Sequence, residues 1–129
     1  MAKTKPNPIQ WLSDAEVHDY PAAESYLSLL YDTDRVAGMV DRLKHAPTIQ
    51  FKAKDIFRAS LLSPLGVSNF HVERDQKKIR KRLYLSPLLL VRDESAGKVV
   101  IADGYHRLCA IYLFDEDAWI SCKIISKQS

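Results

Sequence analysis

Cysteine is scarce: Cys109 and Cys122 are the only two among 129 residues. They have no metal-ligand spacing, which argues against a cysteine-built metal site. Cys109 falls in a helical apolar pattern and Cys122 in a strand pattern, so both read as reduced packing residues. Long hydrophobic runs are also missing. The longest, Leu83 to Val91, is interrupted by Ser86-Pro87 and is far too short to span a bilayer, which excludes a membrane partner of that kind. Met1 to Asp14 carries basic residues but no apolar core, so no secretory signal is read and the cytoplasm is the expected compartment. Neither sign of charge dominates. A net charge of +3 permits contact with a nucleotide or nucleic acid and demands neither. No internal repeat or low-complexity tract interrupts the chain.

What is present fits one domain with a real core. Hydrophobic and charged contents of 47% and 27% are ordinary for a globular chain of this length. Residues 1–10 read as a flexible lead. Between Ala22 and Tyr31, the residues Tyr26, Leu29 and Leu30 sit at helical spacing. After the capping cluster Asp32-Thr33-Asp34, Val36, Met39, Val40 and Leu43 form a second stripe that ends at His45-Ala46-Pro47. The two stripes predict an N-terminal helical hairpin within residues 1–48. Beyond it, Thr48–Phe51 reads as a strand, Ala53–Leu62 as a short helix ending before Pro64, and Leu65-Gly66 as a loop. Val72–Leu83 reads as a basic helix and Leu85–Arg92 as a strand with Pro87 near its start. Asp93–Lys98 is a hairpin loop, Val99–Ala102 the returning strand, Tyr105–Phe114 a helix, and Trp119–Ile125 a final strand.

The most informative stretch is Val99-Val100-Ile101-Ala102-Asp103-Gly104-Tyr105-His106-Arg107. A β-branched run stops at Asp-Gly, and a His-Arg pair opens a helix. A helix start offers unpaired N–H groups and the positive end of the dipole, and His106 and Arg107 add donors. A cation at that end opposes the dipole unless an anion is present, which favours a phosphate-type site over a plain surface pair. Asp103 reads first as the helix N-cap.

The order of these elements resembles the ParB/sulfiredoxin superfamily over about residues 49–126. The likeness rests on Lys78-Ile79-Arg80 ending the basic helix, on the Pro-led strand Leu85-Ser86-Pro87-Leu88-Leu89-Leu90-Val91, on Gly104-Tyr105-His106-Arg107-Leu108-Cys109-Ala110, and on Ile120-Ser121-Cys122-Lys123-Ile124-Ile125. It implies an α+β fold, with a small mixed β-sheet packed with helices, and the hairpin of residues 1–48 added to it. It also implies a nucleotide ligand (ATP, ADP or CTP, with Mg²⁺ carried by the nucleotide). Gly104 would give close backbone approach, and Tyr105, His106 and Arg107 would form the phosphate-binding turn. His71, Arg74 and Lys78 on one face of the basic helix would join them.

The departures narrow the chemistry. Sulfiredoxins carry a nucleophilic cysteine immediately before the His-Arg pair, where this chain has Tyr105, so sulfiredoxin chemistry is rejected. Segregation proteins follow this domain with a helix-turn-helix, and this sequence stops just past the closing strand. Another branch phosphorylates free serine and needs a carboxylate base, for which Asp103 and Glu73 are the candidates. Nucleotide hydrolysis and phosphoryl transfer by a small-molecule kinase both stay open. Two non-enzymatic alternatives remain. The run Arg74–Arg82 is either a solvated helix face or a contact for DNA, and the N-terminal helices either pack on the domain or dock a protein partner or second copy.

Overall fold

Leu88-Leu89-Leu90-Val91 is apolar at every position because the strand it forms is buried on both faces. In the computed structural model, residues 9–63 and 69–128 are described. In chain order these form β1 (Gln10–Trp11), α1 (Asp19–Leu27), α2 (Thr33–His45), β2 (Ile49–Lys52), α3 (Ala53–Ser60) and α4 (Phe70–Arg80). They continue with β3 (Tyr84–Leu85), β4 (Leu88–Asp93), β5 (Lys98–Asp103), α5 (Tyr105–Phe114) and β6 (Trp119–Ser126).

The main sheet has the order β2-β6-β4-β5. The β2–β6 and β4–β5 pairs are antiparallel and β6–β4 is parallel, so the sheet is mixed and the molecule is α+β. Strand alternation sends side chains to two separate cores. Leu89, Val91, Val100, Ala102 and Ile125 meet Tyr20, Ala23 and Leu27 of α1 and Val36, Met39 and Leu43 of α2. Leu88, Leu90, Ile101, Ile120 and Cys122 meet α3, α4 and α5 through Ile56, Phe57, Val72, Ile79, Leu108 and Ile111. No helix among the described residues is long and apolar enough to cross a membrane.

Several local expectations need correction. The flexible lead does not extend to residue 10: Ile9 is buried, and β1 pairs in parallel with β3. Residues 1–8 lie outside the described residues, as do Pro64 and the expected Leu65-Gly66 loop. The first helix starts earlier and ends at Leu27, so its buried face is Tyr20, Ala23 and Leu27, while Tyr26, Leu29 and Leu30 are exposed. Asn69 moves the start of α4 forward, since its side-chain oxygen accepts from the N–H groups of His71 (3.0 Å) and Val72 (3.3 Å). The strand expected over Leu85–Arg92 is divided at Ser86-Pro87 into β3 and β4. Among helices, α5 has the expected bounds.

One buried cation fastens the N-terminal segment to the sheet. Lys123 of β6 donates to Asp14 (2.9 Å), to the Tyr20 hydroxyl (3.0 Å) and to the carbonyl of Lys44 (2.9 Å). All three ammonium donors therefore have acceptors. The Tyr20 hydroxyl donates in turn to Asp14 at 2.7 Å. This cluster holds the chain just before α1 against the same end of the sheet that carries Gly104.

Candidate functional site

Gly104 turns the chain from β5 into α5 with φ 107°. A Cβ there would meet Leu88 Cγ at 2.7 Å and Arg107 Nη2 at 2.9 Å, so glycine is required both by the backbone angle and by the space. Among the described residues, no side chain caps α5. Its first backbone bond runs from the Leu108 N–H to the Gly104 carbonyl, and the N–H groups of Tyr105, His106 and Arg107 precede that ladder. Asp103 is not the N-cap expected from sequence, because its carboxylate is turned to Arg107 instead.

Arg107 holds several groups together. Its Nη2 donates to Asp103 Oδ2 at 2.6 Å, and its Nη1 donates to the Ser86 carbonyl at 3.1 Å and to Ser86 Oγ. Asp19 Oδ2 lies 3.6 Å from Nη1 and accepts from Ser86 Oγ at 2.5 Å. The Arg107 side chain is only 14% exposed. It therefore ties β5, the β3–β4 connection and the start of α1 together while also lining the cleft that opens over them. Burial pushes the Asp103 carboxyl above its ordinary range, against the pull of Arg107.

A cleft of about 260 Å³ opens over this network. It is lined by Arg74 and Lys78 of α4, by Gly104 to Arg107, and by Glu16, His18, Asp19, Asp75, Ser86 and Asp103 among others. Asp75 is buried, with Arg74 Nε and Lys78 Nζ each 4.0 Å from its carboxylate, which sets both cations on the cleft side of α4. A second lobe of about 460 Å³ shares Ala22 and Asp103 to His106 and adds Tyr26, Leu62, Ile101 and Ala102. One lobe is thus charged and the other mostly apolar, and they meet at the start of α5.

Of the residues singled out by sequence, Arg74, Lys78, Asp103, Gly104, Tyr105, His106 and Arg107 come together in the charged lobe. His71 stands beside it, its ring centroid 4.8 Å from that of His106. The Tyr105 ring packs edge-on to Phe57 at 6.4 Å, and its hydroxyl donates to the Ser63 carbonyl. Glu73 does not join them: it is exposed, 3.5 Å from Lys77, and does not line the cleft. The rest of the basic run, Lys77, Arg80, Lys81 and Arg82, faces solvent.

Glu16, His18, Asp19, Ser86 and Asp75 were not found from the sequence. Asp19 and Ser86 reach Arg107 from distant parts of the chain, and no local pattern marks such a contact. Lys123 did leave a signal, as the one charged residue within the apolar run of β6. Neither cysteine lies in the cleft, and burial pushes the Cys122 thiol up to about 12. Among the described residues, no group of three or more His, Cys, Asp or Glu side chains is arranged to hold a metal ion. Compared with family models, curated proteins and solved structures, the chain matches none.

Proposed function

We propose that this chain binds a nucleoside phosphate in the two-lobed cleft. The carrying observation is the junction itself: a helix start with no side-chain cap among the described residues, whose His106 lines both lobes, lies between a lobe holding Arg74 and Lys78 and a lobe lined by Tyr26, Leu62 and Ile101. Phosphates suit the first, through the α5 N–H groups and the α4 cations. A nucleobase suits the second, where a flat apolar group finds an aromatic ring and aliphatic walls. The resemblance to the ParB/sulfiredoxin superfamily supports the same ligand class, with ATP, ADP and CTP as the candidates and Mg²⁺ arriving on the phosphates.

The charged lobe is not a bare cation trap. Arg74, Lys78 and Arg107 face four carboxylates there, Glu16, Asp19, Asp75 and Asp103. A nucleic-acid backbone laid along it would meet those carboxylates as well as the cations, which favours a compact phosphate ligand over DNA. Asp103, made more basic by burial, is the candidate proton acceptor for a hydroxyl or water attacking the terminal phosphate. Hydrolysis and transfer to a small acceptor both use that arrangement, with Arg74 and Lys78 neutralising developing charge.

The test is calorimetric titration with ATP, ADP and CTP, each with and without Mg²⁺, on the wild type, Arg74→Gln and Lys78→Gln. The expected result is micromolar binding that weakens about tenfold, or 1.4 kcal/mol, in each variant. No binding of any of the three to the wild type overturns the reading.

A further inference from the structure

Two helices start beside each other, one of them in the cleft wall, and each carries a histidine as its second residue: His71 in α4 and His106 in α5. The rings approach to 4.8 Å between centroids at an angle of 44°, with Phe70 beyond His71 at 5.5 Å and Tyr105 beyond His106 at 5.7 Å. The two helix starts differ in one respect. Asn69 already occupies the N–H groups of His71 and Val72, whereas α5 has no side-chain cap among the described residues. His106 lines the charged lobe and His71 does not.

We propose that His106 is a proton-linked ligand for the bound anion, with His71, whose ring packs against it, as the positioning residue. This rests on the nucleoside-phosphate reading of the cleft. A charged imidazole in the first turn of α5 opposes the helix dipole, and the anion reverses that penalty. Burial is the first cause holding His106 below its ordinary value, and the adjoining His71 ring is the second. On α4, Arg74 also opposes its charging while Asp75 favours it. Lys78 shares the lobe with them. The facing elements contribute Asp103 from β5, and Glu16, His18 and Asp19 from the N-terminal segment. Asp103 and Asp19 are already engaged by Arg107, so they are poor substitutes for an added anion.

The proton balance is simple: binding takes one proton from solvent onto the His106 ring and breaks no covalent bond. The bound midpoint lies above the free one. Affinity therefore strengthens as pH falls from the bound midpoint to the free midpoint, by at most tenfold per pH unit for one proton, and levels off below.

Imidazole C–H resonances followed by NMR between pH 5 and 8.5 test this, on free protein, with ADP, and with sulfate, which keeps its charge throughout. The expected result is a His106 midpoint raised by roughly one pH unit with either anion, a tenfold linkage. His71→Gln should raise the midpoint of free protein and shrink the shift caused by ligand. If ADP moves amide resonances of α5 but leaves the His106 midpoint in place, the proton linkage is wrong and the nucleotide reading stands. If ADP moves no resonance, both fall. An unchanged free midpoint in His71→Gln overturns the part given to His71.

Discussion

Arg107 and Asp103 lie one turn apart in sequence and 2.6 Å apart in space, and the same guanidinium stands 3.6 Å from Asp19. One cation thereby serves two carboxylates that would otherwise repel each other at the base of the cleft. This reverses what the His-Arg pair suggests when read alone. His106 faces the open lobe, and Arg107 is absorbed in holding the walls together.

Replacing Arg107 with Met should therefore damage the fold before it reports on binding. Removing one partner from a mostly buried ion-pair network leaves charge uncompensated, and about 3 kcal/mol of destabilisation is expected. Urea unfolding checks this. A variant as stable as wild type would mean that Arg107 is free to meet a ligand directly.

Gly104→Ala should cost about 2 kcal/mol, because the new Cβ meets Leu88 and the positive φ strains any other residue. The measurement is the midpoint of thermal unfolding. Gly38, where a Cβ would meet nothing within 4 Å, is the control position, and alanine there should be neutral or stabilising.

Acid should weaken the fold through two named carboxylates. The Lys123 ammonium holds Asp14 below the usual carboxylate range, and the Tyr31 hydroxyl, followed by Lys127, does the same for Asp93. Lowered folded values mean that the native state binds fewer protons, so this stability is complete above about pH 4 and drains away as pH falls below it. Thermal midpoints between pH 7 and 2 should drop in that window. Asp93→Asn should flatten the drop, and an unaltered profile would remove Asp93 from the account.

Deleting residues 1–47 should leave a chain that aggregates. Leu89, Val91, Val100, Ala102 and Ile125 lose the cover of α1 and α2, which exposes an entire sheet face. Size-exclusion chromatography decides it. A well-behaved truncated monomer would show that the hairpin is dispensable to the fold and free to serve a partner.

Where the chain announces its structure, it does so through local chemistry. The Asp-Gly stop and the apolar rows of β4 and α5 could be read directly, because each element's pattern matches the burial it ends with. β1 escaped notice because two residues in a proline-bearing lead carry no period, and their partner is Tyr84-Leu85, far along the chain. The face of α1 was misread because Leu29 and Leu30 continue the helical spacing past a helix that stops at Leu27. The site divides the same way. Gly104 and His106 sit in one short stretch and are legible, whereas two partners of Arg107, Asp19 and Ser86, are assembled only when α1 and the Ser86-Pro87 connection arrive from elsewhere. The acid and base at positions 103 and 107 do stand at helical pairing distance, and that spacing outranked the capping role assigned to Asp103.

The position of β6 between β2 and β4 sets the timetable of the molecule's birth. Each of its sheet-mates is synthesised earlier, yet among the described residues β2 has no other partner in the sheet, and β4 has one edge open until β6 is made. The β4–β5 hairpin and α5 are thus synthesised before the strand that unites the sheet. Local helices and that hairpin are able to form on the way out, while the sheet itself closes only after residue 126 is free. The cleft inherits this lateness, since Lys123, which draws Asp14 and Tyr20 into place, belongs to the same strand.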